Sequence, residues 1–148
     1  MIGRNMGTAD VTRLVIPSRL SEAPAVQDRL LEQVQEKRYP QEAVFAIRLA
    51  FDEALTNAIR HGNCSDPAKK VVVEWSITDQ QVKITITDEG FGFKPDALPD
   101  PTADENLTCP GGRGVLLMHA YMTEVCFNKR GNRVTMTKHR NCAKPTAG

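Results

Sequence analysis

Between residues 70 and 87 the chain switches to a period of two, and this switch limits the possible folds more than any other feature. In KVVVEWSIT, Val71, Val73, Trp75 and Ile77 share one parity. After Asp79-Gln80-Gln81, Val82, Ile84 and Ile86 alternate with Lys83, Thr85 and Thr87. Successive side chains of a strand point to opposite faces, so the pattern predicts an antiparallel hairpin with one buried face. That face needs a cover, and the preceding sequence offers one. Ala25, Val26, Leu30, Leu31 and Val34 recur at helical spacing, in a helix expected over about residues 21–38 that Ser18 or Ser21 can cap. Pro40 punctuates, and a longer helix is expected from Gln41 to about His61, ended by Gly62.

The remaining segments complete an α+β pattern. VTRLVI at residues 11–16 reads as a short strand stopped by Pro17. From about Gly90 to Gly112 the chain is rich in Gly, Pro and Asp, and a loop of about twenty residues in a small domain is either a functional lid or a sign that the segment is wrongly assigned as loop. A third helix is expected from near Arg113 (VLLMHAYM), with Met118 in the core. A last hairpin, TEVCFNK and RVTMTKH, turns at Arg130-Gly131-Asn132. The order β-α-α-β-β-lid-α-β-β implies a two-layer sandwich with helices on one sheet face. The domain is expected to span residues 11–140, with tails at 1–10 and 141–148.

Composition narrows the chemistry by exclusion. The 148 residues suit one domain and would make two marginal ones. Nineteen basic and 18 acidic residues leave +1, which gives no nucleic-acid or anionic-membrane footprint. No apolar stretch approaches the roughly 18 residues of a membrane span, and MIGRNMGTAD has no apolar signal-peptide core. Cys64, Cys109, Cys126 and Cys142 form no C-x-x-C pair and no zinc spacing with His61, His119 or His139. They read as free thiols of a reducing compartment, and the expected location is cytoplasmic.

Three motifs can carry chemistry, though each alone also has an ordinary structural reading. Glu53, Asn57 and His61 are spaced i, i+4, i+8, which at ~100° per residue places them within an ~80° arc beside the apolar stripe of Ile47, Phe51, Ala54 and Ala58. Alone, this is a solvated helix face. A carboxylate and an amide one turn apart can also serve one ligand, since the amide oxygen suits Mg²⁺ and the carboxylate accepts a proton. Asp88 continues the parity of Val82, Ile84 and Ile86, so it projects toward the core, where an unpaired charge is costly. It is either a turn residue or an acceptor for an exocyclic amine such as adenine's, with Gly90 and Gly92 permitting close backbone approach. Gly111-Gly112-Arg113-Gly114 enters a helix, where backbone N–H groups form an anion site that Arg113 can supplement. It has neither the G-K-[ST] of a Walker loop nor a Rossmann βαβ context.

Taken together and in order, E-x-x-x-N-A, D-x-G-x-G-F and G-x-G-V-L-L resemble the N, G1 and G2 boxes of the GHKL ATPase superfamily. The wording DEALTNAIRHGN resembles the anti-sigma-factor serine/threonine kinases, and the resemblance runs over roughly residues 11–139. It implies a Bergerat-type, histidine-kinase-like ATPase sandwich with a mixed, mostly antiparallel sheet, usually dimeric. It implies ATP and Mg²⁺ as ligands, Glu53 as the activating carboxylate and Asn57 as the magnesium ligand. It further implies Asp88 as adenine acceptor, with His61, Gly90 and Gly92 also at the nucleotide and Gly112, Arg113, Gly114 and Val115 at the phosphates. Where several branches carry a Gly-Thr pair, this chain reads Gly131-Asn132-Arg133, which leaves Asn132 and the nearby Thr135 as alternatives or the contact absent. The implied function is phosphorylation of an anti-anti-sigma partner and sequestration of a sigma factor. The alternative is a nucleotide-gated partner-binding module without kinase activity.

Overall fold

A computed structural model describes residues 10–90 and 117–140. Strand β1 (Val11–Pro17) leads through a tight turn at Leu20–Glu22 into helices α1 (Ala23–Glu36) and α2 (Gln41–Thr56). Strands β2 (Lys70–Ile77) and β3 (Gln81–Thr87) form the hairpin that the alternation predicts. Residues 117–121 are helical, and β4 (Glu124–Phe127) and β5 (Arg133–His139) form the second hairpin. The sheet order is β1-β2-β3-β5-β4, and each of its four pairings is antiparallel. β3 therefore sits at the centre, between β2 and the later β5.

The parity rows decide which face is covered. Val71, Val73, Trp75, Val82, Ile84, Ile86, Val134 and Met136 are all buried in one cluster with Leu30, Val34, Ile47, Phe51 and Ile59 of the helical layer. Burying a side chain of this size contributes ~1.5–3 kcal/mol, so the shared face is the main source of stability. Met118 is buried in the same cluster. Trp75 keeps its ring in the core by donating its indole N–H to Gln33 Oε1 on α1, at 3.0 Å. The far end of the hairpin is clasped from outside. Arg140 donates to the carbonyls of Lys37, Arg38 and Asp79, and its guanidinium lies 4.1 Å from the Tyr39 ring centroid. Tyr39 in turn donates its hydroxyl to the Thr78 carbonyl at 2.6 Å. Among the described residues no helix is long and apolar enough to cross a membrane.

The helices depart from the sequence expectation at their ends. The first begins at Ala23, with Pro24 in its first turn, where a missing N–H costs nothing. In the second, α-helical winding stops at Thr56, and Asn57–Gly62 is a π-helix. The Asn63 N–H accordingly reaches the Ala58 carbonyl, five residues back, at 2.9 Å. Such wider turns are rare and concentrate at functional sites.

Beyond the π turn, Cys64 and Ser65 have φ of 54° and 55°. The left-handed region costs an L-residue ~1–2 kcal/mol, against ~0.4–1 kcal/mol of extra unfolded-state freedom for glycine. Ser65→Gly is therefore expected to stabilise the fold by about 0.5 kcal/mol and raise the melting temperature by a few degrees. A lower melting temperature would show that the serine is not strained there.

Candidate functional site

The site is built where the end of α2 meets the end of β3. Asp88 follows β3 in the row of Val82, Ile84 and Ile86, so its side chain turns to the helical side. There its carboxylate lies against Gly62, the last residue of the π turn. A methyl group on Gly62 would overlap that carboxylate, and one on Gly90 would overlap the Gly62 carbonyl. The two glycines therefore let helix and strand ends come into direct contact. Gly90→Ala meets backbone rather than a movable side chain, so it is expected to destabilise the protein by about 3 kcal/mol, read in denaturant melts. An unchanged midpoint would mean that this contact yields freely.

The carboxylate is held in a defined pose. Its Oδ1 accepts the Gly90 N–H at 2.8 Å. Its backbone N–H donates to the Asn132 carbonyl, and its carbonyl accepts from Asn132 Nδ2, both at 2.9 Å. Burial pushes the Asp88 pKa up from 3.8, while the Gly90 N–H and the positive charges of Arg130 and Lys69 pull it partly back. Arg130 also donates to the Gly90 carbonyl at 3.2 Å. With Oδ1 engaged by backbone, Oδ2 is the oxygen left to accept a donor from a ligand.

Glu53 and Asn57 lie one turn apart, in the last turn of α2 and at the start of the π turn, and both are half-buried. Among the described residues neither side chain makes a hydrogen bond or ion pair. A half-buried carboxylate and amide left unengaged on one face are groups available to a ligand. The chemistry this permits is a hard-cation or phosphate contact at Asn57 and proton acceptance at Glu53, with Asp88 receiving a donor at the far end.

Not every expected residue joins this group. His61 is exposed within the π turn, where the 100° spacing that aligned it with Glu53 no longer applies; Gly62 is the residue set against Asp88. Thr135 pairs with Thr85 in register, and their hydroxyls are 3.2 Å apart on the opposite face from Ile84, Met136 and Asp88. Thr135 thus stands on the wrong side of the sheet, and Asn132 is the alternative that touches Asp88. Gly92, Gly112, Arg113, Gly114, Val115 and the body of the expected lid lie outside the described residues. An apolar cleft between the start of α1 and α2, lined by Leu20, Pro24, Phe51 and Leu55 among others, contains none of the candidate groups.

Sequence reasoning passed over Gly62 as a contact residue and Asn63 altogether. Asn63 is fully buried and hydrogen-bonded to three other segments. The one local signal was an asparagine directly after a helix-ending glycine, which ordinarily reads as a surface cap.

Comparison with known proteins identifies the family of the chain. The family profile of the histidine kinase-like ATPase domain matches residues 16–138. The serine-protein kinase RsbW of Bacillus subtilis is 26% identical over 142 residues, covering 90% of this chain and 88% of that protein. An anti-sigma F factor of Oceanobacillus iheyensis is 34% identical over 104 residues, 66% of this chain and 70% of the relative. The crystal structure of the RsbU and RsbW domains of a Mycobacterium tuberculosis protein superposes with a TM-score of 0.61 at 18% identity. That match covers 88% of this chain and 32% of the longer one, and it speaks to the fold. The matched span contains both long helices, strands β2 to β4, nearly all of β5 and the residues Glu53, Asn57 and Asp88, and the chain belongs to the histidine kinase-like ATPase domain family.

Proposed function

We propose that the protein is an ATP- and Mg²⁺-dependent serine/threonine kinase that phosphorylates an anti-anti-sigma partner and, as an anti-sigma factor, sequesters a sigma factor. The observation that carries this reading is the geometry of one helix. α2 and its π turn present Glu53 and Asn57 along their length and abut Asp88 at their end. The names of the relatives, serine-protein kinase and anti-sigma F factor, support the partner classes.

The residues divide the work. Asp88 Oδ2 accepts the amine of the adenine base, and the Gly90 N–H keeps the other oxygen fixed. The amide oxygen of Asn57 fits a hard cation and would hold Mg²⁺, which when bound neutralises phosphate charge. Glu53, one turn away, takes the proton of the attacking serine hydroxyl. By sequence, Gly112, Arg113, Gly114 and Val115 would supply donors to the phosphates. Catalysis is then chiefly positioning and electrostatics, the general logic of phosphoryl transfer. The substrate protein arrives from outside, and we place the reaction in the cytoplasm, on a homodimer.

The test uses the purified chain. ATP with Mg²⁺ is expected to raise its melting temperature, and labelled ATP is expected to transfer phosphate to an anti-anti-sigma protein. No thermal response would remove the nucleotide reading. A response without transfer would leave the nucleotide-gated binding module.

A further inference from the structure

We infer that Asn63 is a positioning residue that aims the Asp88 carboxylate and thereby sets the preference for one base over another. The inference rests on the nucleotide reading above. An asparagine with no exposure must satisfy its amide or destabilise the fold, and this one does so completely. Its Nδ2 donates to Ser18 Oγ at 2.8 Å and to the Lys70 carbonyl at 2.9 Å. Its Oδ1 accepts the Glu89 N–H at 2.8 Å. Its own N–H closes the π turn on Ala58.

The donations to Ser18 and Lys70 pin the helix end to the exit of β1 and the entry of β2. They would suffice for a purely structural residue. The bond to Glu89 does something different, because that N–H belongs to the peptide joining Asp88 to Glu89. The carbonyl of the same peptide is held by Asn132 Nδ2. The peptide is thus gripped at both edges, by Asn132 from the sheet and by Asn63 from the segment that ends α2. With both edges held it cannot rotate, and the direction of the Asp88 side chain relative to the helix carrying Glu53 and Asn57 is fixed. Releasing the Asn63 edge frees that rotation without touching the carboxylate.

The experiment compares affinity for ATP and GTP, which present a donor and an acceptor at the same edge of the base. It is run well below the melting temperature on four proteins. Wild type is expected to prefer ATP. Asn63→Ala is expected to lose at least about tenfold of that preference, the loss that follows when a charge-assisted hydrogen bond is misaligned. Ser18→Ala breaks the same buried network away from the Asp88 peptide, so it should lower the melting temperature and keep the wild-type ratio. Asn132→Ala releases the carbonyl edge of the same peptide and is expected to lose the preference likewise; it is the variant read if Asn63→Ala fails to fold. A wild-type ratio in folded Asn63→Ala would overturn the inference. So would equal loss in Ser18→Ala, or a wild-type ratio in Asn132→Ala. Failure of wild type to prefer ATP would instead overturn the nucleotide reading itself.

Discussion

Asp88→Asn is expected to leave the protein folded while its affinity for ATP falls by about 100-fold, the combined effect of losing a charged acceptor and opposing two donors. The amide retains an oxygen for the Gly90 N–H, so the turn survives. Its nitrogen then occupies the place of Oδ2 and faces the adenine amine. The apo protein should suffer little. Burial is the main influence on Asp88 and raises its pKa, so the folded state holds this proton more tightly than the unfolded chain does. Stability is therefore lost as pH climbs from the ordinary 3.8 through the raised value. Above that window the neutral amide avoids the cost, and apo Asp88→Asn should melt at or above the wild-type temperature at pH 7. On the proposed reading ATP binding needs the ionised carboxylate, so it should weaken on acidification at a higher pH than an ordinary aspartate would require. Calorimetric titration with ATP checks the affinity and its pH dependence, thermal melts check the apo protein, and an undiminished affinity in the variant would remove Asp88 from the site.

Glu53→Ala should separate binding from chemistry. The carboxylate is half-buried and, among the described residues, has no hydrogen bond or ion pair, so its removal strands no partner. The thermal response to ATP and Mg²⁺ is expected to persist. Transfer to the partner serine should fall by about 10²–10⁴-fold, the usual contribution of a positioned general base. Phosphorylation at the wild-type rate would exclude Glu53 from that role, whereas loss of the ATP response would assign it to binding instead.

The legibility of the molecule divides along physical lines. Val71–Ile77 and Val82–Ile86 were readable because alternation is local and has one geometric meaning. The same parity placed Asp88 on the helical side, where the Gly62 contact finds it. Applied to RVTMTKH it would also have excluded Thr135, since Val134 and Met136 form the apolar row and Thr135 falls between them. Proximity to Gly131-Asn132 outweighed parity there. His61 was misplaced for another reason: a fixed 100° step assumes the winding never changes, and it changes at Asn57. Asn63 was invisible because two of its three side-chain partners, Ser18 and Glu89, are 45 and 26 residues away. No local pattern encodes a bond that exists only once the tertiary fold has formed.

The central place of β3 also bears on how a ribosome must make this protein. β3 pairs on one side with β2, which precedes it closely, but its other neighbour is β5, and Thr85 waits 50 residues for Thr135. At roughly 5–20 residues per second, the emerging chain spends about 3–10 s with one edge of its middle strand open. Over that interval the apolar row of Val82, Ile84 and Ile86 relies on helices alone for cover. An unpaired strand with one apolar face is a template for stray pairing with other chains. Slow translation between the two hairpins would therefore lengthen the period of greatest exposure to aggregation.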